Sequence, residues 1–342
     1  SLDLNGAVRA THYSTSGWVV TWKAGATWEP VDGLLLRATR SRDIRAPSLN
    51  NLYAVFGGGG VANITNPFNG VNGHLNSSSS GNPNLDPERA DTTTVGVVLE
   101  PQGSWARGVR FSLDYYNIKI SDAIVTVGAT DVILRCYQGQ EQYCSAITFD
   151  NSDFGIANVA TQPFNVASVL NRGIEAAFDY HTDLGDVGAL DLRARATRTL
   201  KLRTDDLKTV VDRAGALQSG GVPKWTGSAD LTFSSGPFLT TLGSRFFSAS
   251  KFDATLFGPK DPGYDPASGL SINDNRFPGA VYFDLYAEYG IDAGRNHLTF
   301  FGKIDNLANK APALYAATAI VSGGNPYDLI GRRFTVGVRF SR

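Results

Sequence analysis

The sequence predicts an all-β protein, an antiparallel sheet of the kind that closes into a membrane-spanning β-barrel. Three observations carry that prediction. Apolar and polar residues alternate with period two, the alternating stretches run to about ten residues, and the connections between them switch regularly between short turns and long loops.

The alternation is clearest at 281–289, where Val281, Phe283, Leu285, Ala287 and Tyr289 take one face and Tyr282, Asp284, Tyr286 and Glu288 the other. In the next stretch Leu298, Phe300 and Ile304 oppose Thr299, Lys303 and Asp305. Earlier, Val109, Phe111 and Leu113 oppose Arg110, Ser112 and Asp114; Leu190, Leu192, Ala194 and Ala196 oppose Asp191, Arg193, Arg195 and Thr197; Trp225, Ala229, Leu231 and Phe233 oppose Thr226, Ser228, Asp230 and Thr232. A soluble sandwich also alternates, so length decides. Soluble strands run to about five or six residues, whereas a tilted membrane strand needs about 9 to 11 to cross the hydrocarbon. The stretches here fall near 2–12, 17–29, 33–43, 90–100, 107–119, 168–181, 188–201, 223–234, 237–249, 279–290, 296–305 and 331–341, about twelve long strands. After Asp114 the apolar phase moves from Leu113 to Tyr116, Ile118 and Ile120, which predicts either a bulge or a strand rising clear of the lipid.

Short connections are predicted at 29–33, 101–108, 183–188, 234–237 and 291–296, and long loops near 44–88, 120–166, 202–222, 250–278 and 306–330. In bacterial outer-membrane barrels the short turns are periplasmic and the long loops external, which puts the C-terminus in the periplasm. Aromatic residues near strand ends (Trp18, Trp28, Trp105, Tyr115, Tyr116, Tyr180, Trp225, Tyr289) fit the headgroup level, where amphipathic rings settle.

Composition removes other classes. The formal net charge is -1 and the pI about 6.4, so no basic excess points to nucleic acid. No stretch approaches the roughly 18 to 20 uninterrupted apolar residues of a spanning helix. There is no Met, and SLDLNGAVRA has neither a charged n-region nor an apolar h-region, so the true start is expected to be missing. Cys136 and Cys144 share one loop, a spacing that suits a disulfide closing a short hairpin in an oxidising compartment; two unpaired thiols are the other reading. His12, His74, His181 and His297 are scattered without a ligand spacing, and no cofactor is expected. Gly57-Gly-Gly-Gly60 lacks the Gly-Lys-Ser/Thr of a phosphate cradle and reads as a flexible loop tip. With no Gly-x-Ser-x-Gly elbow either, the chain is not expected to be an enzyme.

Several passages carry a family resemblance. Arg37-Ala-Thr-Arg-Ser-Arg-Asp-Ile-Arg-Ala-Pro-Ser-Leu-Asn-Asn-Leu-Tyr53 resembles the R-A-x-x-S-x-x-x-R-A-P-x-x-x-x-L strand and loop of TonB-dependent receptors. Asn82-Pro-Asn-Leu-Asp-Pro-Glu-Arg-Ala-Asp91 resembles their N-P-x-L-x-P-E-x-A passage, and Leu170-Asn-Arg-Gly-Ile-Glu175 is similar to their R-G-I-E strand opening. Asp305-Asn-Leu-Ala-Asn-Lys310 and Tyr327-Asp-Leu-Ile-Gly-Arg332 follow in the family's order. The last stretch, with Phe334, Val336, Val338 and Phe340 on one face, resembles the aromatic-ended signal read by the barrel assembly machinery; Ser341 and Arg342 follow where the family commonly stops at Phe.

The resemblance implies that residues 1–342 are the C-terminal part of a barrel of about 22 strands, with the plug, the TonB-contacting segment and the early strands absent. It also implies a Gram-negative outer-membrane location, contact with outer-membrane lipid, and import of a bound solute with energy relayed by TonB. A ferric siderophore is the commonest guess; cobalamin, haem or a saccharide are carried by relatives. Within this chain the loops would supply binding groups, with Arg135, Tyr137, Tyr143, Phe252, Phe257, Lys260 and Tyr264 as ligand candidates. Lys23, Arg37, Arg110, Arg193 and Arg195 would face the plug or lumen. The alternatives are a passive porin-like channel without a plug and a soluble sandwich protein; detergent dependence separates the last, and the sequence upstream of Ser1 separates receptor from pore.

Overall fold

The computed structural model describes residues 1–103, 106–206, 209–313 and 326–341, with backbone alone for 56–62, Ser219 and Ala293. The strands in chain order are β1 (Leu2–Tyr13), β2 (Gly17–Val31), β3 (Leu34–Arg45), β4 (Val55–Thr65), β5 (Asn72–Ser80), β6 (Glu88–Leu99), β7 (Val109–Thr126), β8 (Ile147–Phe149), β9 (Ile156–Thr161) and β10 (Pro163–Asp183). Then come β11 (Ala189–Asp205), β12 (Val210–Asp212), β13 (Trp225–Ser235), β14 (Phe238–Phe247), β15 (Ser250–Lys251), β16 (Arg276–Phe277), β17 (Ala280–Ala293), β18 (Asn296–Asp305) and β19 (Arg333–Ser341). Two short helices, α1 (Leu49–Tyr53) and α2 (Ala129–Tyr137), lie in the connections.

Twelve strands form one antiparallel wall in the order β1-β2-β3-β6-β7-β10-β11-β13-β14-β17-β18-β19, each paired with the next wall strand in sequence. These are the twelve predicted stretches. The register explains why period two was so legible. Val109, Tyr180, Leu192, Leu231, Leu242, Leu285, Ile304 and Phe334 are successive partners across eight strands and make one continuous apolar row. One residue along, Arg110, Asp179, Arg193, Asp230, Gly243 and Asp284 are likewise successive partners and point the other way. Leu231, Leu242, Phe283 and Phe334 are all exposed, so no second protein layer covers the apolar face. The buried apolar clusters lie elsewhere: one in the loops around Tyr143 and one around Phe277 and Tyr282. A sandwich core is thereby excluded, because its apolar rows would be the buried ones.

Differences from the sequence reading concentrate above this band. Strands β7, β10 and β11 run well past their predicted ends, and β6 pairs with β7 from Arg89 to Leu99 without a register shift. The change of phase after Asp114 is therefore not a bulge. For the same reason Tyr115 and Tyr116 sit within β7, not at its end, and Tyr116 points to the inner face with its register partners Thr94 and Gly173. Trp105 and residues 314–325 of the last long loop lie outside the described residues.

The first two long loops are not open coil. β4 pairs antiparallel with β5, β5 runs parallel to β9, and β9 pairs with β8, giving a four-stranded sheet assembled from both loops. Gly57–Gly60, expected at a loop tip, lies inside β4; the turn comes at 66–71. Ser48 caps α1, its hydroxyl accepting the Asn51 backbone N–H while Asn51 Oδ1 accepts from the Ser48 N–H.

Candidate ligand-binding loops and inner wall

Leu75, Val132, Ile133, Cys136, Tyr143, Ile147, Ile156, Val159 and Phe164 bury one another beneath the four-stranded loop sheet. Alternation cannot announce such a core, since its members come from two loops that meet only in space. Cys136 at the end of α2 and Cys144 in the 3-10 turn Glu141–Ala146 are joined as a disulfide with Cα atoms 4.9 Å apart, which settles the two readings left open by their spacing.

That core takes two predicted ligand residues out of contact with solvent. Tyr143 is 0 % exposed and packs against Phe164, ring centroids 4.7 Å apart. Arg135, 7 % exposed, stacks its guanidinium 5.3 Å from the Tyr143 ring and donates from Nη2 to the Asp206 carbonyl at 2.8 Å. Both are corrections: Arg135 ties the disulfide loop to the 202–222 loop, Tyr143 packs inside the loop core, and neither side chain is presented to solvent. Tyr137, by contrast, is 54 % exposed and meets Phe68 edge-on at 5.3 Å, and Phe149 also meets Phe68 edge-on at 5.5 Å. Phe68 and Phe149 were not singled out in the sequence because only the loop sheet brings them to Tyr137.

The 250–278 loop is braced from within. Asn275 Nδ2 donates to the carbonyls of Asp253 (3.0 Å) and Leu256 (2.7 Å), and Lys251 Nζ holds Asp261 at 3.0 Å. The Gly258 backbone N–H donating to Asp261, followed by Lys251, holds that carboxyl below its ordinary value. Lys251, Lys260, Asp261, Asn273, Asp274 and Arg276 line an open cavity of about 370 Å³, where three cations meet two carboxylates. Of the residues predicted in this loop, Lys260 lines the cavity, Phe257 is exposed, Tyr264 donates to Asn273 Oδ1 at 3.2 Å, and Phe252 is half-buried. Arg276 and Asn273 were missed, being isolated polar residues in a polar stretch.

On the inner wall all five predicted residues share one face. Arg37 reaches Asp114, Nε to Oδ1 at 2.8 Å, although β6 runs between their strands. The crossing is open because position 96 is glycine: a Cβ there would lie 2.0 Å from Asp114 Oδ1 and 3.1 Å from Arg37 Nε. Arg195 Nη2 donates to both Asp179 oxygens, at 2.9 and 3.1 Å, and Arg110 pairs with Glu100 at 2.9 Å. Arg193 and Lys23 make no ion pair among the described residues and stand exposed on the same face. A second cavity, lined by Arg37, Ser112, Asp114, Glu175, Arg195 and Thr197, opens on this side. Phe334, Val336, Val338 and Phe340 lie on the outer face of β19, an edge of the sheet, with Val336 85 % exposed.

Comparison with known proteins agrees with this architecture. Residues 1–307 match the family model described as TonB dependent receptor-like, beta-barrel. Among solved structures, a variant of the ferric enterobactin receptor PfeA from Pseudomonas aeruginosa, in complex with enterobactin, aligns with 99% of this chain and 43% of its own at a TM-score of 0.65 and 15% identity. The siderophore receptor PirA from Acinetobacter baumannii aligns with 99% of this chain and 43% of its own (TM-score 0.62, 13% identity). The FrpB iron transporter from Neisseria meningitidis aligns with 98% and 43% (TM-score 0.57, 14% identity). The chain thus spans less than half the length of these receptors, and at such identities the likeness is one of fold. A greasy outer face, a charged inner face, loops joined above them and a family match over most of the chain lead to one conclusion: this chain belongs to the TonB-dependent receptor β-barrel family.

Proposed function

We propose that the chain forms the C-terminal barrel wall and external loops of a Gram-negative outer-membrane receptor that captures an extracellular solute and imports it with energy relayed by TonB. The single observation that supports this most is the division of the wall into two faces, an uncovered apolar row through eight strands backed by a charged row in which Arg110, Asp179, Arg193 and Asp230 alternate in sign. An apolar exterior suits lipid, and a charged interior suits a hydrated lumen or the surface of a plug. Arg37, Arg110 and Arg195 would present plug-docking groups already neutralised by wall carboxylates.

The substrate we infer is a ferric siderophore or another large anionic nutrient. The cavity of the 250–278 loop offers Lys260 and Arg276 to an anion, and the exposed rings of Phe68, Tyr137 and Phe149 offer flat faces to an aromatic group. The proteins that resemble this fold include receptors for ferric enterobactin and other siderophores. A deletion strain grown under iron limitation tests the reading. Siderophore import predicts a growth defect relieved by supplying the gene; growth equal to the parent strain would remove iron carriers from consideration.

A further inference from the structure

The external loops gather into two bodies, and the Arg135 side chain crosses from one to the other. The first body is the loop sheet with its core around Tyr143, built from the 44–88 and 120–166 loops. The second collects Leu217, Phe277 and Tyr327 from the three later loops onto Phe247 and Tyr282 of the wall, with the Tyr327 hydroxyl donating to the Pro278 carbonyl. Arg135 belongs to the first body and donates to the carbonyl of Asp206, in the 202–222 loop of the second.

The guanidinium is aimed by what surrounds it. Cys136 and Cys144 are bonded to each other, and their chain neighbours Arg135 and Tyr143 are the two residues that stack. The disulfide therefore fixes the backbone beneath both members of the stack. Both side chains are buried, so the guanidinium has little room to turn away from the Asp206 carbonyl. A buried cation without an acceptor would be costly, which adds to the hold of this one.

From Asp206 the connections run on to the cavity of the 250–278 loop. The Thr209 N–H donates to Asp206 Oδ1 at 2.7 Å, and β12 returns along β11 with Asp212 opposite Arg203. The Arg213 N–H donates to the Leu202 carbonyl at 2.8 Å and the Lys251 N–H to the Gly215 carbonyl at 2.7 Å. In the other direction the N–H groups of Leu217 and Gln218 donate to the carbonyls of Lys251 and Phe252, at 3.2 and 3.0 Å. Lys251 is in turn the register partner of Arg276, which lines the cavity. The backbone that sets Arg276 thus hangs on the hairpin that Arg135 holds at Asp206.

We propose that Arg135 is a positioning residue for that cavity: it carries the constraint of the disulfide-closed loop across to the β11–β12 hairpin, and so to Lys251 and Arg276. As a statement about ligand binding this rests on the receptor reading above, in which the cavity meets an anion; the mechanical coupling does not. An arginine that only filled space beside Tyr143 would steady its own loop and nothing further. The two roles differ in what happens at the far end of the hairpin.

Hydrogen exchange of the full chain in detergent micelles reads that far end, at the amides of Leu217, Lys251 and Phe252. Arg135→Met keeps an unbranched stem beside the Tyr143 ring and removes the donors. The worth of a hydrogen bond from a charged donor sets the scale, so exchange at these amides should rise about ten- to a hundred-fold. Cys136→Ser with Cys144→Ser, which leaves Arg135 in place, should move the same amides in the same direction. Combining all three substitutions should add nothing there, since the link is already cut. Arg135→Lys, which keeps a charged donor without the planar fork, should recover part of the protection. The amides of Leu242 and Leu285 in the wall should not respond; if they do for Arg135→Met, that variant has misfolded and the cysteine variant decides alone. Faster exchange confined to residues 129–146, or effects that add in the triple variant, overturns the proposal. Neither result bears on the receptor reading, which the growth assay decides, and normal growth under iron limitation would leave the coupling intact.

Discussion

Replacing Cys136 and Cys144 together by Ser isolates what the disulfide contributes to the external loops. The bond closes a loop with a sequence separation of 8. Closing so short a loop removes about 8 cal/mol/K from the open state, hence about 2.5 kcal/mol at 25 °C. Every 1.4 kcal/mol is tenfold, so the open form of the 127–162 connection should become about sixty-fold more populated. The rest of the loop core, Val132, Ile133, Tyr143 and Val159, is still present, so the loop should open more often without melting outright. The wall should be indifferent, because β7 and β10 are held by their own ladder and by β6 and β11. Arg135 provides the readout. Buried against Tyr143, it offers trypsin a cleavage site only when the loop opens. Cleavage after Arg135 should accelerate by about the factor given above, in the variant and in the reduced parent protein alike, while migration of the unheated barrel on a gel stays constant. Equal cleavage of oxidised parent and variant would refute the argument.

Three further expectations follow from the wall and the 250–278 loop. Leu242→Arg places a cation in the middle of the apolar row and should cost about 2 to 4 kcal/mol in a urea titration of the bilayer-inserted protein, whereas Thr241→Arg, on the inner face, should cost far less; equal costs would contradict the assignment of faces. Gly96→Ala drives a methyl into Asp114 and should destabilise the wall by about 1 to 3 kcal/mol, with Gly96→Ala in an Asp114→Ala background recovering most of the loss. Asp261 is held below its ordinary value of 3.8 by the Gly258 N–H and Lys251, so its contribution to the 250–278 loop is complete above that pH and is lost as pH falls through the depressed value. Protease protection of that loop should decline only in that acid window, and Asp261→Asn should abolish the pH dependence.

Much of this was legible in the sequence because a membrane wall imposes one rule on every strand. Each residue of the wall takes either the apolar face or the charged one, so the choice is written locally, with period two, and all twelve strands and the common face of Lys23, Arg37, Arg110, Arg193 and Arg195 could be read from it. The cysteine pair was legible too: its spacing suited the disulfide that the structure contains.

What only the tertiary structure decided lies where no such local rule operates. Beyond the apolar band β7 continues as a strand although its apolar phase changes, and β10 runs on beside it. Tyr143 and Arg135 look like free loop residues in sequence and are buried because β5 and β9, some eighty residues apart, lie side by side. The Arg37 to Asp114 pair depends on a missing Cβ in the strand between them. Alternation records which side of its own strand a residue takes; which residues become neighbours across strands and loops is fixed only by pairing in three dimensions.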